Sequence, residues 1–205
     1  MNRYNVSGNE GLYQPNSGRQ VLANKLDISD PDDIDSAELF LLEQLYISVF
    51  EQQFPSGSLT VEMLKRWHRR WLGNIYPWAG KERSVNISKE GFMFAPAVQI
   101  TKLLHEFELR CLNRYTPCTG MNKAQLIEAI AVTHVELILI HPFREGNGRL
   151  SRLLADVMAV QGGSQPLDYY VWEQHKPRYI SAIHKGVSMN YEPMEQLVSA
   201  ALRHD

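Results

Sequence analysis

The sequence predicts an all-α fold, one mostly helical domain that carries a small β-hairpin. Two observations predict it. Apolar residues recur at helical spacing along most of the chain, and only the stretch 76–97 reads as short extended runs around a Gly turn. No internal repeat, low-complexity tract or linker interrupts the pattern.

With 205 residues, 44% hydrophobic and 21% charged, the chain has the size and composition of a soluble globular domain with one core. Its 21 Lys+Arg against 23 Asp+Glu give a net charge of −2, so the electrostatic footprint of a nucleic-acid binder is missing. The start, Met1-Asn2-Arg3-Tyr4-Asn5, lacks the apolar stretch of a secretory signal, and no segment reaches the length of a membrane span. These features predict no direct nucleic-acid partner, no membrane, and a cytoplasmic location, with a translocated effector as the alternative. Cys111 and Cys118 match no zinc spacing and are read as ordinary thiols of a reducing compartment.

Residues 1–30 are rich in Gly, Asn, Ser and Pro without periodicity, and Ser29-Asp30-Pro31 announces a helical region. The expected division is therefore an irregular N-terminal arm over 1–35, packed on a domain over 36–205. Leu39, Leu42, Leu45, Tyr46, Val49 and Phe50 predict a helix from Ser36 to Phe54, ended by Pro55-Ser56-Gly57-Ser58. Thr60 is placed to cap a helix over Val61 to Leu72, with Met63, Leu64, Trp67 and Trp71 on one face. Arg83-Ser84-Val85-Asn86-Ile87 and Phe92-Met93-Phe94, around Lys89-Glu90-Gly91, predict the hairpin. A hairpin alone is marginal in water, so it must lie on something.

A helix is expected from about Ala97 to Asn113. Asn122 caps the most apolar helix, Lys123 to Ile140, which should be central. After a short turn, Leu150, Leu153, Leu154, Val157 and Met158 form the stripe of another helix, ended by Gly162-Gly163. Two more are expected, Val171 to Lys185 and Pro193 to Arg203.

The chemistry is concentrated in His141-Pro142-Phe143-Arg144-Glu145-Gly146-Asn147-Gly148-Arg149. A histidine ends one apolar helix and a Gly-rich turn opens the next. Backbone N–H groups in such a turn and at a helix start favour an anion, so this is a phosphate site beside a general base. His141 is the candidate base, because the unperturbed pKa of a histidine lies close to working pH. Glu145 is the natural Mg²⁺ ligand, because Mg²⁺ favours a carboxylate plus phosphate oxygens and waters over an all-protein cage. Gly146 and Gly148 allow close backbone approach and tolerate positive φ. Arg149 and Arg152 stand three apart and can face one anion.

These residues resemble the motif H-x-F-x-[D/E]-G-N-G-R-x-x-R of the Fic family (filamentation induced by cAMP). His141, Phe143, Glu145, Gly146, Asn147, Gly148, Arg149 and Arg152 fill every defined position. Tyr76-Pro77-Trp78-Ala79-Gly80 and Val85 to Ala95 resemble the family's flap segment. The resemblance implies a helical domain with a hairpin flap over the active site. It implies a protein adenylyltransferase, which moves AMP from ATP to a Ser, Thr or Tyr hydroxyl of a target protein and releases pyrophosphate. The substrate would be ATP and the metal Mg²⁺ at Glu145, with His141 as base.

Arg144, Gly146, Asn147, Gly148, Arg149 and Arg152 make the phosphate-binding set. Asn147 is assigned to the α-phosphate, and Arg149 and Arg152 to the β- and γ-phosphates. Arg144 stands at a variable position and has no separate role. Phe143 is assigned to anchoring the loop. The flap residues Ile87, Ser88, Lys89, Glu90, Gly91, Phe92, Met93 and Phe94 would register an extended target segment by backbone pairing. The intact Gly146-Asn147-Gly148 is the form associated with AMP transfer. Transfer of UMP or phosphocholine by the same fold, and a catalytically quiet nucleotide-binding module, are the alternatives.

Many relatives of this kind carry an inhibitory pattern [S/T]-x-x-x-E-[G/N], whose glutamate meets the motif's second arginine, here Arg152. Ser58 to Glu62 and Ser188 to Glu192 have the spacing, but Met63 and Pro193 follow, and the sequence as read ends at Asp205. Inhibition is therefore expected in trans from a small antitoxin. That makes this chain the toxin of a toxin–antitoxin pair, with type II topoisomerase subunits as the suggested targets. Asn9-Glu10-Gly11-Leu12-Tyr13 resembles the start of that branch.

Outside the motif, His134 is read as a core or supporting histidine rather than a metal ligand. His68, among Arg66, Arg69 and Arg70, is read as part of a solvated face. Tyr169, Tyr170 and Trp172 are read as core aromatics, with a base-stacking role as the alternative.

Overall fold

The computed structural model describes residues 5–6 and 11–202. Asn9 and Glu10, which entered the branch resemblance, lie outside the described residues. The chain divides into two units that interleave along the sequence.

The first unit comprises the chain up to Phe54, Glu62–Lys102 and His141–Gly146. Helix α1, Pro31–Ile47, starts where its signals stand. Asp30 accepts from the N–H groups of Asp32 and Asp33, and Pro31 fills a first-turn position that needs no N–H. The helix expected to run to Phe54 widens after Ile47 into a π-helical turn, Ser48–Gln52. Helix α2, Val61–Leu72, has the predicted bounds and buries Leu64, Trp67, His68, Trp71 and Leu72. Two polar ties fix α1 here: Trp71 Nε1 donates to the Glu38 carbonyl at 2.8 Å, and the Tyr76 hydroxyl donates to Glu38 Oε1 at 2.7 Å.

The hairpin is shorter than predicted and has a third strand. β2, Ile87–Lys89, pairs antiparallel with β3, Phe92–Met93, and β1, Asn5–Val6, pairs on the other edge of β2. Thus the N-terminal arm, read as irregular, supplies a strand. Glu90 and Gly91 have φ of 51° and 83°, the left-handed pair that matches strand twist in a two-residue loop. Residues 83–86 leave the ladder because side chains take its carbonyls and N–H groups. The Arg83 guanidinium donates to Val85 O and Ala95 O, and Asn86 Oδ1 accepts from Ala97 N–H. Val85 and Ile87 form a buried cluster with Phe94 packed against it, so the two legs of the hairpin close on each other.

The second unit comprises Pro55–Val61, Leu103–Ile140 and Asn147 onward. Helix α3, Ile100–Phe107, widens at Glu108–Leu112 before α4, Asn113–Tyr115. Helix α5, Lys123–Ile140, has the predicted bounds and packs on α6 (Asn147–Gln161), α8 (Lys176–Lys185) and α9 (Glu192–Ala201). Ten of its residues are buried, as its nearly uniform apolarity requires. Asn122 Oδ1 accepts from Gln125 N–H and Gln125 Oε1 from Asn122 N–H, a reciprocal capping box.

The helix expected over Val171 to Lys185 is broken into α7, Tyr170–Gln174, and α8. Pro177 has no N–H for the Glu173 carbonyl and its ring collides with that turn, so the chain kinks at His175. Cys111 and Cys118 are free and buried, and burial pushes both thiols up to about 12. No helix among the described residues is long and apolar enough to cross a membrane.

Replacing Asn122 with Ala removes one side of the capping box and should lower unfolding free energy by about 1 kcal/mol in urea titrations. The m-value should not change.

Candidate active site

In the first unit the motif begins with a residue in strained backbone. His141 has φ of 50°, a left-handed value uncommon outside glycine. It follows α5 directly, and the reversal there stops the helix. The imidazole is 4% exposed and stacks on the Phe94 ring at 3.8 Å between centroids. Pro142 O accepts from Arg83 N–H at 2.8 Å, and His141 O from Arg83 Nε at 2.7 Å. The predicted base is thus shielded on one face by a flap aromatic and tied through its own carbonyl to the segment before the flap.

Glu145 is 9% exposed, and its Oε1 accepts from the Gly146 N–H at 3.0 Å. The Glu145 carbonyl is met by His68 Nε2 at 3.0 Å, while His68 Nδ1 accepts from Gly80 N–H at 2.8 Å. Because Nδ1 accepts, Nε2 carries the proton and donates, which fixes a neutral tautomer. The His68 ring stacks on Phe143 at 4.0 Å with planes 11° apart. This corrects the reading of His68 as a solvated residue, because it is fully buried beneath the motif. Phe143 is buried as assigned, and Arg144 is also buried, at 2% exposure.

The two glycines differ. Gly146 has φ of 83°, and an added Cβ would lie 2.8 Å from Trp71 Cζ3, so both backbone and space demand glycine. Gly148 makes no use of the positive φ that glycine tolerates, because it lies inside the first turn of α6. An added Cβ there meets nothing within 4 Å.

In the second unit α6 begins at Asn147, which is buried. The first turn of a helix presents N–H groups with no intrahelical acceptor and the positive end of its dipole. Arg149 follows within that turn, and Arg152 stands one turn further. The Arg152 guanidinium lies over the Tyr169 ring, 4.8 Å from its centroid, and its Nη1 is 3.0 Å from Glu173 Oε1 on α7. The Tyr169 hydroxyl is 2.9 Å from the Arg152 carbonyl and 2.8 Å from Asp156 Oδ1. So Arg152 meets a carboxylate of its own chain, at a glutamate that the inhibitory pattern does not reach.

Trp172 is a core residue, donating from Nε1 to Leu197 O, whereas Tyr170 is 65% exposed. His134 supports α6 from within. Its Nδ1 is 2.8 Å from Ser151 Oγ and its Nε2 2.9 Å from the Tyr179 hydroxyl. Burial lowers its pKa from 6.5 to about 3, with the Arg152 charge acting the same way.

Of the expected flap residues, Ile87 is fully buried and β2 is paired on both edges, so within the hairpin the strand with an unpaired edge is β3, Phe92–Met93. Met93 is 62% exposed there. Among the described residues no three His, Cys, Asp or Glu side chains converge on a possible metal position. A divalent ion would therefore depend on Glu145 together with ligand oxygens and water, a set that suits Mg²⁺. Arg83 and His68 were missed from the sequence as site residues. The Trp78-Ala79-Gly80 loop was the available signal, since Gly80 has φ of 78° and donates to His68.

A model of the Fic/DOC family matches residues 58–159. The protein adenylyltransferase VbhT of Bartonella schoenbuchensis is 31% identical over 165 residues, 80% of this chain and 33% of VbhT. The probable protein adenylyltransferase y4lH of Sinorhizobium fredii is 25% identical over 194 residues, 95% of this chain and 96% of y4lH. The chain thus spans a third of the first relative's length and nearly all of the second's. Among solved structures, the N-terminal Fic domain of a Bartonella effector protein from Bartonella sp. AR 15-3 superimposes with a TM-score of 0.76 at 22% identity, covering 93% of this chain and 90% of that one. The helical fold with its hairpin is therefore that of solved Fic domains.

The His134 environment predicts a pH effect on stability. Above pH 6.5 the ring is neutral folded or unfolded; below it the unfolded chain binds the proton first, so stability falls as pH drops from 6.5 towards about 3. Between pH 6.5 and 5 this amounts to about 2 kcal/mol. Urea unfolding of His134→Gln should lack that part of the slope.

Proposed function

The chain carries a Fic/DOC family domain over residues 58–159, and on that premise we propose that it is a protein adenylyltransferase acting on hydroxyl side chains with ATP as donor. One observation carries the reading. A buried histidine held in a strained turn is followed, within seven residues, by a helix start whose second position is a glycine with open space over its Cα. That is a base, then a place for backbone to meet phosphate.

The target hydroxyl oxygen bonds to the α-phosphorus while His141 takes its proton. The bond from the α-phosphorus to the bridging oxygen breaks, and pyrophosphate leaves on the opposite side. Asn147 orients an α-phosphate oxygen, Gly148 admits the phosphates to the backbone of α6, and Arg149 and Arg152 hold the β- and γ-phosphates. Glu145 would hold Mg²⁺, which supplies charge neutralisation of the phosphates when bound. The fixed bond from His68 to the Glu145 carbonyl keeps that carboxylate's backbone in place. The open edge of β3 gives an extended target segment a strand to pair with.

The proposal extends to a cytoplasmic toxin restrained in trans by a small antitoxin, with type II topoisomerase subunits as targets. What supports it is that neither Glu62 nor Glu192 completes the inhibitory pattern. An incoming inhibitory carboxylate would compete with Glu173 for Arg152.

The chain incubated with α-phosphate-labelled ATP and a bacterial lysate should label protein. His141→Ala should cut labelling by more than about 100-fold, with nucleotide affinity retained. Equal labelling by the two would defeat the assignment, and transfer from UTP or CDP-choline instead of ATP would change the donor. Glu173→Ala frees Arg152 for phosphate. It should lower KM for ATP by about 2–5-fold, the scale of a solvent-exposed ion pair, with kcat little changed.

A further inference from the structure

We propose that Arg83 is a positioning residue for the transfer step, locking the base and the target-docking flap into one body. This rests on the adenylyltransferase reading above. The guanidinium is 3% exposed and each of its three nitrogens donates to a different carbonyl. Nε meets His141 O, one terminal nitrogen meets Val85 O before the flap, and the other meets Ala95 O after it. The Arg83 backbone N–H adds a fourth bond, to Pro142 O.

Both legs of the hairpin base and the backbone of the base therefore share one rigid planar group. The His141 turn costs strain at φ of 50°, and such a conformation persists only where the surroundings over-determine it. Two of these Arg83 bonds fall on that turn. The other two hold the flap so that Phe94 covers the imidazole at 3.8 Å. The distance from a flap-bound hydroxyl to the base is then set by Arg83, whereas the assigned phosphate contacts lie further along the chain, at residues 144–152. Lysine offers no planar fork, so it cannot reach three fanned carbonyls at once.

The functional consequence is selective. Misplacing reacting groups by about 1 Å costs on the order of 100-fold in rate. Arg83→Lys should lower kcat for AMP transfer into lysate proteins by about that factor, with KM for ATP within about threefold of wild type. Release of free AMP to water, which needs no flap, should fall less, so the ratio of transfer to hydrolysis drops. In Arg83→Gly, added guanidinium ion should restore part of the transfer rate. A readout independent of activity is the NMR shift of the His141 ring protons, which Phe94 stacking displaces in wild type and which should relax in Arg83→Lys.

Unchanged kcat and unchanged His141 shifts in a folded Arg83→Lys would overturn the proposal. So would a parallel loss of kcat and ATP affinity with the transfer-to-hydrolysis ratio intact, since that is the mark of general damage. Absence of any labelling by wild type would instead sink the adenylyltransferase reading, and the NMR arm would then decide the coupling alone.

Discussion

A turn that is buried from His141 to Asn147 is the constraint on which the rest of this molecule depends. Loops ordinarily run over the surface because their backbone groups need water or partners. Here the partners of the carbonyls come from far along the chain. Arg83 meets the carbonyls of His141 and Pro142, His68 meets that of Glu145, and Glu145 turns back on the Gly146 N–H. Leaving one such group unmet costs about 1–3 kcal/mol, so these side chains are fixed as firmly as any core residue. The chemistry attributed to the turn is possible because a buried loop tied at these groups cannot wander.

Two arginines show how burial divides labour. Arg83 is inside, and its bonds to three carbonyls cannot be exchanged for water without rebuilding the hairpin base. Arg152 is 29% exposed and its partner Glu173 is 61% exposed, so that pair trades easily with solvent or another anion. Stacking on Tyr169 keeps the guanidinium in place whichever anion it meets. A rigid cation suits a permanent joint, and an exchangeable one suits a phosphate that must arrive and leave.

The sequence made the motif legible because its residues are contiguous and each type has a definite phosphate or proton chemistry. It made α2 and α5 legible to the residue, because strong periodicity marks the first and a capping box before an unbroken apolar run marks the second. Arg83 and His68 were not legible. They meet the motif from 58 and 77 residues away, and no local pattern records such a pairing. His68 was further hidden by its arginine neighbours, since a helix face that turns inward at one position still looks basic. β1 has two residues and so no period to detect. The kink between α7 and α8 was readable from Pro177, but the apolar residues on either side suggested one helix.

Gly146 and Gly148 carry the same letter for opposite reasons. At Gly146 the protein itself forbids anything larger, since Trp71 occupies the place and φ is left-handed. At Gly148 the fold asks for nothing of the kind, and helix propensity alone would favour alanine by about 1 kcal/mol. Selection for a sturdier domain would therefore erode the second glycine and leave the first untouched. A population of such chains evolving without need of the reaction should drift at residue 148 first, and that drift would be a fossil of lost use rather than of a changed fold.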